Sequence, residues 1–192
     1  KDYNDSCVAS CSDDKTVKIW NLNTFVCTTT LTGHTGPVES LVYINNFNKN
    51  YLLSSGKDKL INTWDLSSGT IICSLSNFEY PVKTIIYNVN LNKNELFIFT
   101  YKEFKLFQIE EINGISNTNQ EKINFNCLST IPTLKTHGGI TFSNDKLITF
   151  KDDHVVSIWY KESGLLFKNL CSHTKQILYI VNLEKFEDMA FA

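Results

Sequence analysis

An indole or phenyl ring returns along this chain at a near-constant interval. Trp20, Trp64, Phe107 and Trp159 stand 44, 43 and 52 residues apart, each near the end of a short apolar run. The frame around the ring returns with it. Asp14-Lys15-Thr16-Val17-Lys18-Ile19-Trp20 and Asp58-Lys59-Leu60-Ile61-Asn62-Thr63-Trp64 place an aspartate six residues before tryptophan, and Asp153 stands six before Trp159. Fourteen residues after the ring come His34, Phe78 and His173. A unit of roughly 40 to 45 residues cannot bury its apolar face alone and stacks on copies of itself, so the chain reads as an array of repeats.

Within each repeat, β-branched and aromatic runs alternate with turn residues, which predicts short antiparallel strands. The first unit has runs near 7–12, 16–21 and 26–31, with Ser12-Asp13-Asp14-Lys15 as a turn. The second has 38–43, 50–55, 60–65 and 70–75, and the third has 82–88, 95–100, 103–109 and 125–130. The fourth has 139–143, 146–150, 154–160 and 165–170, and a fifth begins at Gln176. Glu110 to Asn124 is polar and Asn-rich, and is expected to form a mobile loop. His137, beside Gly138 and Gly139, is expected in a loop. Asn182 to Met189 reads as strand and turn, with a weakly periodic helix as the competing reading.

The marks Leu31-Thr32-Gly33-His34 and Trp64-Asp65-Leu66 resemble those of the WD40-repeat family, and the resemblance covers nearly the whole chain. It implies an all-β fold, a β-propeller of four-stranded antiparallel blades closed in a ring. About four and a half blades are present. They divide residues 1–192, as one WD40 repeat region, into a partial blade (1–31), a blade (32–75), a blade with the 110–124 insertion (76–130), a blade (131–170) and a partial blade (171–192). The family most often uses seven blades, so the chain is expected to be a partial propeller, an interior piece of a longer protein. A four-bladed ring closed by residues 176–182 beside 7–12 is the competing arrangement.

In the family, a loop histidine, a strand hydroxyl, a turn aspartate and a strand tryptophan form one buried network. The resemblance gives these roles to His34, Ser54, Asp58 and Trp64, to Ser10, Asp14 and Trp20, and to Thr149, Asp153 and Trp159, with Leu134 near the last histidine place. The residue types suit such a network, because indole only donates, a hydroxyl accepts and donates onward, neutral imidazole does both, and a carboxylate ends the chain. The four aligned positions of the third unit read Phe78, Phe97, Tyr101 and Phe107, an aromatic replacement of the whole network. His34, Ser54 and Asp58 are also the residue types of a nucleophilic triad. The recurrence of their spacing and the lack of a glycine elbow at Ser54 favour the structural reading.

The formal net charge is −2 and all 18 basic residues are lysine, which argues against nucleic-acid binding by this chain, because arginine's bidentate donors are absent. Leu66 and Ser67 follow Asp65, where the ubiquitin-ligase adaptor variant of the family motif needs arginine. The six cysteines include no Cys-x-x-Cys pair, so no metal site is indicated; no other cofactor and no small-molecule substrate is expected. Unpaired cysteines suit a reducing compartment, so an intracellular location, cytoplasm or nucleus, is expected. No run approaches the roughly 18 apolar residues of a membrane span.

Family members commonly contact partners through loops entering each inner strand and through turns before the aspartate. The matching positions are Thr35, Pro37, Glu79, Tyr80, Pro81, Thr174 and Gln176, with Asp13, Lys57, Lys102 and Asp152 from the turns. The resemblance thus implies a non-catalytic scaffold for protein-protein interaction and complex assembly, binding other proteins or peptides. The alternatives are a substrate-receptor propeller of a larger enzyme, a kinase or ubiquitin ligase, and a ribonucleoprotein assembly factor.

Overall fold

The computed structural model describes residues 6–45, 50–90, 93–112, 122–132, 136–141, 146–151, 154–161, 163–177 and 180. They form strands and, among the described residues, no helix. The first sheet holds β1 (Cys7–Cys11), β2 (Thr16–Asn21) and β3 (Val26–Thr32). The second holds β4 (Val38–Ile44), β5 (Tyr51–Gly56), β6 (Ile61–Asp65) and β7 (Thr70–Leu75). The third holds β8 (Val82–Asn90), β9 (Lys93–Thr100), β10 (Glu103–Ile112) and β11 (Lys122–Pro132). The fourth holds β12 (Thr136–Thr141), β13 (Lys146–Lys151), β14 (Val155–Tyr160) and β15 (Leu166–Cys171). Each sheet is an antiparallel meander in chain order. Successive inner strands lie side by side, β4 against β8 and β8 against β12, as blades of a partial β-propeller do.

The apolar cores lie between sheets. Val17, Ile19 and Leu31 of the first sheet meet Val38, Leu52, Trp64 and Leu66 of the second. The opposite side of the second sheet, with Ile44, Tyr51, Leu53 and Ile61, meets Ile85, Leu96, Ile98 and Phe107 of the third. Phe97, Phe99, Phe104 and Leu106 on the far side of the third sheet meet Leu147 of the fourth. The ring-bearing side of a sheet is therefore covered by the sheet before it. Exposure shows what that cover does: Leu52, Trp64 and Leu66 are 3%, 1% and 9% exposed, whereas Val8, Trp20 and Leu22, at the same places in the first sheet, are 44%, 36% and 43% exposed.

Two local irregularities repeat. Each outer strand pair carries a bulge beside the ring, between Ile19 and Trp20, Thr63 and Trp64, Leu106 and Phe107, and Ile158 and Trp159. Each inner pair of the second to fourth sheets carries another, which leaves Glu39, Lys83 and His137 as the extra residues. A bulge bends the strand and re-aims one side chain. His137 accordingly lies within β12, a correction to the expected loop: the bulge absorbs it without ending the strand.

The expected loop from Glu110 to Asn124 is also corrected. Glu110, Glu111 and Ile112 pair with Asn124, Ile123 and Lys122, so the β10–β11 ribbon continues into that stretch. Buried Ile109 and Ile123 hold it against the core, and residues 113–121 lie outside the described residues. In the last unit Gln176, Ile177 and Ile180 lie in no strand, and the competing strand and helix readings of 182–189 fall outside the described residues. Among the described residues β1 pairs with β2 alone, so the closure of 176–182 on 7–12 is not formed there.

Candidate interaction face and the buried network beneath it

In the second sheet four predicted residues join in one chain of hydrogen bonds. The Trp64 indole donates to Ser54 Oγ at 2.7 Å, and Ser54 Oγ lies 2.7 Å from His34 Nε2. His34 Nδ1 lies 2.8 Å from Asp58 Oδ2. A carboxylate only accepts, so Nδ1 carries the proton, and neutral Nε2 then accepts from the serine hydroxyl. Asp58 also accepts from the backbone N–H of Thr35 at 2.9 Å and of Leu60 at 3.2 Å. The network thus ties the loop before β4 to the β5–β6 turn. Gly56 permits the close approach, because a Cβ there would meet the Pro37 carbonyl oxygen at 2.5 Å. Ser54 has no exposed surface and is engaged from both sides, so its hydroxyl cannot reach a substrate as a nucleophile.

The turn that presents Asp58 has a defined geometry. Gly56 N donates to Leu60 O, which leaves residues 57–59 as the hairpin loop, and Lys59 closes it at φ 64°. Three-residue hairpin loops commonly end on such a left-handed residue. Lys15 (φ 72°) and His154 (φ 66°) take the same place in the first and fourth sheets.

Elsewhere the network is partial. Trp20 donates to Ser10 Oγ at 2.8 Å, but Asp14 stays in its turn and accepts from the Thr16 hydroxyl at 2.6 Å and the Thr16 amide at 2.9 Å. Those Thr16 bonds, the hydroxyl first, hold the Asp14 carboxyl below the usual carboxylate range. Asp14 is exposed and caps its own turn, and no histidine among the described residues bonds to it. In the fourth sheet Trp159 donates to Thr149 Oγ1 at 2.8 Å, while Asp153 and Leu134 lie outside the described residues.

The third sheet also differs from expectation. Its ring residue Phe107 pairs with Leu96, as Trp64 pairs with Leu52, and two residues beyond Leu52 is Ser54. Two beyond Leu96 is Ile98, so Ile98 and not Phe97 takes the hydroxyl's place. Only Tyr101 and Lys102 separate β9 from β10, one residue fewer than the 57–59 loop, and a fixed count of ten therefore slips onto the wrong side of the strand. Phe78, Ile98 and Phe107 share one core, Phe97 packs in the other, and Tyr101 is 39% exposed. The polar network is replaced by aliphatic and aromatic packing, not by four stacked rings.

The positions proposed for contact fall into separate groups. Thr35, Pro37 and Lys57 gather over the Asp58 turn: Lys57 N donates to Pro37 O at 2.8 Å, and the Lys57 ammonium pairs with Glu39 at 3.4 Å. Glu79, Tyr80 and Lys102 gather over the third sheet, next to Pro81: the Tyr80 hydroxyl donates to Glu79 at 3.0 Å, and Lys102 Nζ sits 5.0 Å from the Tyr80 ring centroid. Thr174 and Gln176 are exposed, and Asp152 lies outside the described residues.

Two features escaped the sequence reading. The bulged residues Glu39 and Lys83 both aim at the hairpin turn of their own sheet, and only pairing register reveals a bulge. Lys161 is buried: its ammonium donates to Glu95 Oε2 at 3.3 Å and lies 5.1 Å from the Phe97 ring, joining the fourth sheet to the third. Its only sequence signal is a lysine after Trp159-Tyr160, which reads as solvated.

A family model described as WD domain, G-beta repeat matches residues 2–21 and 25–65. No curated protein matches the chain.

Proposed function

This is a chain of the WD40-repeat family, whose repeats generally mediate protein-protein interaction, and on that premise we propose that it is a non-catalytic scaffold that binds other proteins or peptides and holds a complex together. The carrying observation is the division of labour at Asp58. Its carboxylate, with His34, Ser54 and Trp64, is spent beneath the surface on locking the hairpin, while Thr35 and Lys57 directly above it are exposed. Rigid sheets with exposed turns suit recognition by loops. The six free thiols are in keeping with a reducing compartment, cytoplasm or nucleus.

The reading is tested by tagging the full chain in its own cells and quantifying co-purified proteins by mass spectrometry. Thr35→Arg and Tyr80→Ala should each deplete a common set of proteins without lowering the melting temperature, whereas Thr28→Arg on the outer bulge should not. Retention of every associated protein by both face variants would sink the proposal.

A further inference from the structure

We propose that Tyr80, Lys83, Tyr101 and Lys102 form a docking patch for an acidic peptide segment of a partner protein. The inference rests on the scaffold reading above and adds the chemistry of the ligand. The loop before β8 and the bulge at the start of β8 are each joined to the β9–β10 turn by a cation–π contact. Lys102 Nζ lies 5.0 Å from the Tyr80 ring, and Lys83 Nζ lies 5.9 Å from the Tyr101 ring. A ring holds an ammonium in place without neutralising it. Both lysines therefore remain full positive charges at fixed positions, beside two phenol rings.

The second sheet is arranged differently. There the corresponding bulge and turn residues, Glu39 and Lys57, close on one another as an ion pair at 3.4 Å. In the third sheet the bulge carries Lys83 and the turn carries Tyr101 and Lys102, and among the described residues neither lysine meets a carboxylate. Loss of the buried network also makes this possible. Asp58 must point inward to reach His34, whereas the shorter turn has no such duty and leaves Tyr101 and Lys102 exposed.

The ligand follows from charge and shape. Glu79 is the acid beside the patch, bound by the Tyr80 hydroxyl at 3.0 Å, and the neighbouring Glu103 is paired with Lys105 at 3.3 Å. Two ammoniums against one exposed carboxylate suit a few side-chain carboxylates on an extended peptide, whose apolar groups can lie on the phenol rings. A nucleic-acid strand would bring its continuous phosphate charge against Glu79, and two lysines release few counterions.

The test uses the full chain and three labelled probes: a short peptide alternating glutamate and leucine, its glutamine counterpart, and an oligouridylate. Fluorescence anisotropy should show binding of the glutamate peptide alone, weakening with added salt. Lys83→Glu and Lys102→Glu should each weaken it about fivefold, and Lys168→Glu on β15 should not. Amide resonances of 79, 80, 82, 83 and 100–103 should be the ones that move. Equal binding of both peptides, equal weakening by Lys168→Glu, or preference for oligouridylate would each overturn the proposal. If the glutamate peptide fails while Tyr80→Ala still strips co-purified proteins from the chain, the acidic ligand falls and the scaffold reading stands.

Discussion

Ser54 shows how much one hydroxyl can hold. It is fully buried, accepts from the Trp64 indole and donates to His34, which in turn donates to Asp58. Ser54→Ala would strand a donor and an acceptor together in a dry site, and each unsatisfied buried group costs about 1–3 kcal/mol. The expected loss is about 2–4 kcal/mol, allowing for partial relaxation, read from the denaturant midpoint. Ser10→Ala removes the same bond from Trp20, but Trp20 is 36% exposed and water can replace the lost partner. That variant should lose under about 1 kcal/mol. Equal losses would contradict the buried-network account. The second sheet was legible in the sequence through its resemblance to the family, which gave His34, Ser54, Asp58 and Trp64 their roles. The hydroxyl position of the third sheet was not legible. Ile98 and Phe97 are both apolar, and only the pairing of Phe107 with Leu96 tells which side of the strand each occupies.

Hairpins carry the repeat more faithfully than side chains do. The outer hairpin turns of the first, second and fourth sheets end on a left-handed residue, Phe25 (φ 58°), Gly69 (φ 71°) and Gly164 (φ 66°), each closing an N–H bond to the carbonyl four residues earlier. Glycine adopts this conformation freely, and any other residue is strained by about 1–2 kcal/mol. Phe25 is 83% exposed, so its ring returns little by burial. Phe25→Gly should therefore stabilise the chain by about 0.5–1 kcal/mol once glycine's added unfolded-state entropy is subtracted. A lower denaturant midpoint with an unchanged slope would show that the ring makes contacts worth more than the strain. Strand positions were readable because apolar alternation and turn residues mark them. The ends of β10 and β11 were not, because Glu110, Glu111 and Asn124 look like loop and are held in register by Ile109 and Ile123.

At the scale of the whole molecule, the described sheets are joined by shared cores and by an ionic link. Lys161 and Glu95 connect the fourth sheet to the third with side chains 2% and 10% exposed, and Phe97 covers the ammonium. Removing one member of a buried pair leaves a charge without its counterpart, so Lys161→Met should cost about 3–5 kcal/mol. Lys161→Met combined with Glu95→Leu should recover most of that loss, since apolar packing can replace a buried pair at little net cost. A double variant no more stable than the single would show that the two groups act separately. The arrangement of the cores also bears on engineering. Trp64 belongs to one repeat by covalent chain and to the preceding one by packing, as Phe107 does in its turn. The transplantable module is accordingly not a blade but the seam between two. A graft cut at the middle of neighbouring sheets would carry its own complementary surfaces, whereas one cut between sheets would expose two mismatched halves.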